Sequence, residues 1–314
     1  MNNKIYSLIL FCSLWFSGCE SLINDLDQDK LPKTEIKLVV ECYISPQSEE
    51  ILVTVTESQP LFAPSTYETN IVKNATVIIS GENGQLQIPY NDSISTYVID
   101  SSYFRIEAGK KYTLTVNDGI RNVKASCVVP LKKATIKTME VDTVVSQWSP
   151  QDSVARVKMS WEDIRGETNY YQVRGYSGTE ATRLVFDPPA GTKPERGYFK
   201  NLLDYNYNSI LYNDVNLDGI TFNTPYFMVQ LDKNWVFTYI DKSGKEQTVN
   251  SNPILKEIHI EVLNIDENYY KFYRSRKNND DGNPFVEPTL VFTNIEGGLG
   301  CFGSYTIGSA TVRP

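Results

Sequence analysis

From Ile36 to about Pro130 apolar and polar residues alternate in short runs. IKLVVECYI, ILVTVTES, ATVIISG, GQLQIPY, STYVID, KYTLTVND and NVKASCVV are rich in Val, Ile, Thr and Tyr. A period of two with β-branched and aromatic residues predicts half-buried strands. Turn formers separate the runs at Glu82-Asn83-Gly84, Asn91-Asp92 and Asn117-Asp118-Gly119. Asp118-Gly119 predicts a hairpin between its neighbours. Seven strands in about 95 residues predict a β-sandwich of immunoglobulin-like type. The run Ala108 to Leu114, AGKKYTL, looks like the entry to a late strand of such a sandwich, with Tyr112 folding over the edge.

A second β-rich unit is expected over 131–314. Val157, Met159 and Trp161 share one face of an alternating strand, and YQVRGY follows, a pair similar to the start of a fibronectin III-like sandwich. Gly197 to Tyr212 is rich in Tyr and Asn and reads as irregular, and further strands are expected at TPYFMVQLD, WVFTYIDK, KEQTVN and ILKEIHIEVLN. One helix is expected near 266–277. Asp266 can cap it, and Tyr269, Phe272, Tyr273 and Arg276 recur at helical spacing, so an aromatic stripe faces the body. The fold class expected is all-β: two sandwich-like units, 35–130 and 131–314, with one late amphipathic helix.

The N-terminus breaks the strand pattern. Lys4 precedes an apolar run from Ile5 to Phe16, and Ser17-Gly18-Cys19 follows. The layout is that of a secretory signal over 1–18. About 12 apolar residues fall short of the roughly 20 that span a bilayer. A cysteine after two small residues resembles the lipobox of bacterial lipoproteins, in which the thiol is acylated. Cys19 is therefore the expected lipidation site, by palmitate or a similar acyl chain, and 19–34, with Asp25, Asp27 and Asp29, is the expected tether. Stable anchoring takes two or more acyl chains.

A formal charge of −8 with no cluster of Lys or Arg argues against nucleic-acid partners. After Cys12 and Cys19, three cysteines remain, with no C-x-x-C spacing and a single histidine, so a zinc site is not expected. Cys42 and Cys127 lie in strand-like runs. A disulfide between them and two separately buried thiols are both open readings.

Three constellations could carry chemistry. Asp214-Val215-Asn216-Leu217-Asp218-Gly219 matches the first half of a calcium loop, with candidate ligands Asp214, Asn216 and Asp218. Position twelve, however, is Pro225 rather than glutamate. No cofactor other than such a calcium ion is expected. His259 alternates with Ile258 and Ile260, which places it on a strand face with Glu257 and Glu261. A serine triad would have to use it, and no G-x-S-x-G elbow is present. Tyrosine is in excess at 20 residues, and Tyr198, Tyr205, Tyr207 and Tyr212 stand among asparagines as a candidate surface for a sugar or peptide ligand.

The ending NPFVEP, from Asn283, followed by NIEGGLGCFGSY, from Asn294, resembles the DUF4249 family of Bacteroidota lipoproteins. So do the LVVECYI strand, with Cys42 where glycine is usual, DENYYKF from Asp266 and the Asp214–Gly219 loop. The resemblance spans nearly the whole chain after Cys19. It implies an outer-membrane address and a neighbouring TonB-dependent receptor, and it implies no activity. The expectation is a lipid-anchored, surface-exposed, non-enzymatic binding or accessory subunit of a TonB-dependent nutrient-uptake system. The alternative is a structural or adhesive surface lipoprotein, and behind it a glycan hydrolase using paired carboxylates.

Overall fold

The computed structural model describes residues 35–59, 70–145, 153–187, 191–203, 210–231, 233–280 and 290–313. Cys19, the signal, the tether, Tyr205, Tyr207 and the NPFVEP stretch lie outside them. Lys37–Glu57 and Asn70–Pro314 make one compact unit.

The chain is all-β with one described helix, as its alternation predicts. The first strands are β1 (Leu38–Ile44), β2 (Glu50–Glu57), β3 (Thr76–Gly81), β4 (Gly84–Ile88), β5 (Tyr90–Asn91), β6 (Thr96–Asp100), β7 (Lys111–Asn117) and β8 (Asn122–Val128). There follow β9 (Thr135–Val145), β10 (Ser153–Glu162), β11 (Tyr170–Asp187), β12 (Gly191–Leu202), β13 (Leu211–Asn213), β14 (Thr221–Asn223), β15 (Phe227–Gln230), β16 (Val236–Ile240), β17 (Glu246–Asn250) and β18 (Ile254–Ile265). The helix α1 (Glu267–Asp280) and β19 (Leu299–Val312) complete the order.

One large sheet runs β12-β11-β18-β19-β1-β2-β6-β5, with β13 also paired to β11. Its two halves are covered by different sheets. The four-stranded sheet β4-β3-β7-β8 meets β1, β2 and β6 around a first core, where Val40, Val53 and Val55 pack with Val77, Leu114, Val116 and Ala125. The second sheet, β14-β10-β15 with β9 beside β10, meets β11 and β18 around Val157, Met159, Trp161, Val173, Ile258, Ile260 and Val262. Strands β1, β2, β7 and β8 alternate buried and open positions because their side chains point to opposite faces in turn. The large sheet joins strands from both sides of residue 131: β19 is antiparallel to β18 and parallel to β1.

The β7–β8 hairpin turns at Asp118-Gly119, where Gly119 has φ 91° and the Asp118 amide donates to Arg121 O. Tyr112 reaches back from β7: its hydroxyl accepts the Glu107 amide at 2.8 Å. The expectation of irregular chain from Gly197 is corrected in part. Residues up to Leu202 belong to β12, which pairs with β11 from Tyr176↔Leu202 to Asp187↔Gly191. Tyr198 and Lys200 alternate with Phe199 and Asn201 there, but the interleaved asparagines hid the period.

The glycine-rich ending is a packing device. Gly300, at φ 103°, lies in β19 against β1, and a Cβ there would sit 2.1 Å from Val40 O. Asn294 braces the same strand, donating to Phe302 O (2.8 Å) and accepting from the Phe302 amide (3.0 Å).

Leu263 and Ile265 follow the inward Val262 on β18 but face the reverse side of the large sheet, where α1 covers them. Asp266 caps α1, accepting the Tyr269 amide at 2.8 Å. Tyr269 and Phe272 are buried as the stripe predicts, and Tyr269 stacks on Tyr273 at 4.7 Å between centroids.

Candidate functional site

Beyond α1 the reverse face of β11, β12 and β18 carries charged and aromatic side chains in rows, half-buried to exposed among the described residues. Strand β18 presents Glu257, His259 and Glu261 because Ile258, Ile260 and Val262 point into the core. Strand β11 adds Arg174 and Tyr176, and β12 adds Tyr198 and Lys200. Tyr198 crosses β11 to reach β18, and Gly178 makes room: a Cβ there would lie 1.9 Å from the tyrosine oxygen.

Glu257 Oε1 accepts from Tyr198 (2.9 Å) and from Tyr176 (3.2 Å), and Arg313 lies 3.4 Å from its Oε2. The Tyr198 bond, ahead of these others, holds the Glu257 carboxyl below the usual range. The Tyr198 hydroxyl is pushed up to about 12, first by burial and then by that carboxylate. The His259 ring lies 4.9 Å from that of Tyr176, with Nδ1 2.7 Å from Thr311 Oγ1 and Nε2 3.3 Å from Glu261 Oε1. Glu261 also accepts from Arg174 Nε. Lys200 Nζ stands 4.4 Å above the Tyr176 ring. The result is a face of fixed donors, acceptors and ring edges, with Tyr198 46% exposed. Such a face suits recognition of a polar ligand or a protein surface.

Tyr212 does not share it. Its ring packs 4.9 Å from Trp161 and 5.8 Å from Phe222 at the edge of the second core, and burial pushes its hydroxyl up to about 12. Of the candidate tyrosines, Tyr198 alone is placed on the open face among the described residues. Tyr176 was missed because its meeting with Tyr198 at Glu257 depends on how β11 pairs with β12 and β18.

The carboxylates of Asp214 and Asp218 come together with Asp163, which follows β10, their oxygens all within 4.8 Å of one another. Asp163 and Asp214 are buried, and Asp218 is exposed. Backbone amides of Gly219 (2.7 Å), Asn169 (2.9 Å) and Gly166 (2.9 Å) donate to Asp163, Asp214 and Asp218 respectively. The Tyr171 hydroxyl donates to the other oxygen of Asp163 (2.8 Å). Burial first, and then Asp163 and Asp218, raises the Asp214 pKa. An all-oxygen donor set with buried like charges fits a hard divalent cation. Asn216 is exposed at φ 65°, so it serves the turn. Asp163 could not be found from the loop motif, since the strand pairing of β10 with β14 brings it there from 51 residues before Asp214.

The cysteines resolve one open reading. Cys42, Cys127 and Cys301 are buried free thiols, so the Cys42–Cys127 disulfide is not formed. Burial pushes all three thiols up, away from the reactive thiolate form.

None of the described helices is long and apolar enough to cross a membrane. No curated protein matches the chain. A family model described as a domain of unknown function, DUF4249, matches residues 24–311. That match covers nearly the whole chain, which therefore belongs to the DUF4249 family.

Proposed function

We propose that the chain is a lipid-anchored outer-membrane protein, facing outward, that binds rather than transforms. It serves as an accessory or ligand-capture subunit of a TonB-dependent uptake system. The observation that carries the binding role is the open part of the reverse sheet face, where Tyr198, Tyr176, Glu257, His259 and Arg174 hold one another in a fixed array. The address is supported by the Lys4–Cys19 pattern, and the transporter by the family resemblance. Cys19→Ala should leave the membrane fraction while its circular dichroism stays unchanged. Affinity capture of the anchored protein from detergent extract should bring down a transporter barrel in stoichiometric amount, and Tyr198→Ala with Glu257→Ala should reduce that yield or abolish ligand uptake. Capture without a barrel, with binding to matrix glycans, supports the adhesive reading instead. Turnover of a glycan abolished by one carboxylate substitution supports a hydrolase.

A second reading concerns the acidic cluster, and the arrival of buried Asp163 beside Asp214 and Asp218 favours it. There a calcium ion braces the turn between β13 and β14. Calcium at tenfold excess over its Kd would then add about 1.4 kcal/mol of stability, and Asp163→Asn should remove the gain. Absence of heat on titration with millimolar calcium sinks this reading.

A further inference from the structure

A cavity of about 350 Å³ opens between the two sheets of the second core, at the end where β9 and β10 face β11, β18 and β19. Ala155 and Ile258 form its floor, and Val141, Leu231 and Leu255 form its walls. Native interiors leave few voids larger than a water molecule, because an unfilled gap forfeits dispersion contacts. A space of this size lies in the range of small-molecule sites.

Its lining comes from an irregularity in the sheet. The β11–β18 register runs Gly178↔Glu257 and then Thr179↔Leu255, so Lys256 is an extra residue. Without that bulge, Lys256 would follow Ile258 into the core. With it, Lys256 turns outward to Glu180, 2.9 Å away, and Leu255 turns inward. A bulge that re-aims a side chain in this way is characteristic of the borders of sites.

Two features define the ligand. None of the lining residues carries a charge, which excludes phosphates, carboxylates and metal ions. One polar group lies deep in the wall: Thr179 is 3% exposed, and its hydroxyl makes no hydrogen bond to any described residue. A hydroxyl at the cavity wall with no protein partner is both a donor and an acceptor for a bound molecule. We propose that this cavity binds a neutral, mostly apolar small molecule whose single hydrogen-bonding group meets Thr179. The site lies in the core, behind the sheet whose reverse face carries Tyr198 and Glu257. It goes beyond the accessory role proposed above and stands or falls separately from it.

The test uses the exported chain carrying Cys19→Ala, so that no detergent competes, and the neutral fluorophore N-phenyl-1-naphthylamine. Saturable one-to-one binding is expected, weakened at least tenfold by Ala155→Phe, which fills the floor. Thr179→Val keeps the shape and removes the hydroxyl, and it should weaken binding several-fold with the fold intact by circular dichroism. Ile120→Ala, at an exposed position on the β7–β8 turn, should leave the affinity unchanged. No saturable binding, non-stoichiometric binding, or binding that both core variants leave unchanged overturns the proposal. If Ala155→Phe fails to fold, Thr179→Val decides alone.

Discussion

Gly300 and Gly84 both hold a positive φ, 103° and 115°, but a Cβ at Gly84 meets nothing within 4 Å while one at Gly300 meets Val40 O at 2.1 Å. Substituting alanine at both therefore separates backbone strain from steric exclusion. Gly84→Ala should cost about 1–2 kcal/mol in urea unfolding, the strain of the left-handed backbone alone. Gly300→Ala should cost about 3 kcal/mol or more, because β1 must also shift. Equal losses would mean that the β1–β19 contact is looser than described. Asp266 gives a residue-scale dependence on pH. Burial pushes its carboxyl up to about 6 from an ordinary 3.8, against the opposing bonds from Ser304 and the Tyr269 amide. The unfolded chain ionises near 3.8 and the folded chain near 6, so between them the folded state holds more protons. The stability this group lends is complete below pH 3.8 and is lost as pH rises through 6, about 3 kcal/mol in all. Asp266→Asn keeps a capping oxygen for Tyr269 and removes the ionisation. Its stability relative to the parent should rise from pH 4 to 7 and level off above. A difference independent of pH would contradict the assignment.

Element β19 shows what packing adds to propensity. Its Gly-rich run is part of a 14-residue strand, because β1 along its first half, β18 along its second and Asn294 at the Phe302 peptide supply its hydrogen bonds. Asn294→Ala leaves a buried N–H and C=O to find other partners, and should cost about 2–4 kcal/mol by denaturant titration. A loss under 1 kcal/mol would show that β1 and β18 hold the strand without it. The strands that alternate cleanly, β1, β2, β7, β8 and β18, were legible in the sequence, as were the capped helix and the outward His259. The sequence hid what depends on partners distant along the chain. Asp163 joins Asp214 only through sheet pairing, Tyr212 turns to the Trp161 cluster, and Leu255 turns inward only because Lys256 bulges. Local pattern reports which face a side chain takes, and register decides what it meets there.

At the scale of the molecule, β18 and β19 belong to the same sheet as β1, so the two cores share a wall. Unfolding should be a single transition. Fluorescence of Trp161, wholly buried in the second core, should change together with far-ultraviolet circular dichroism, and Gly300→Ala in the shared wall should lower both midpoints equally. Separate midpoints would mean that each core stands alone. The parallel pairing of β1 with β19 has a mechanical consequence as well. The two strands meet in register from Val39↔Leu299 to Ile44↔Ser304, with the chain entering at one end of the pair and leaving at the other. Tension between an N-terminal anchor and the C-terminus loads this ladder in shear, so its hydrogen bonds resist together instead of parting one by one as in an unzipped hairpin. A body tethered through its first strand and pulled from its last would thus bear force across a ladder loaded along its whole length at once.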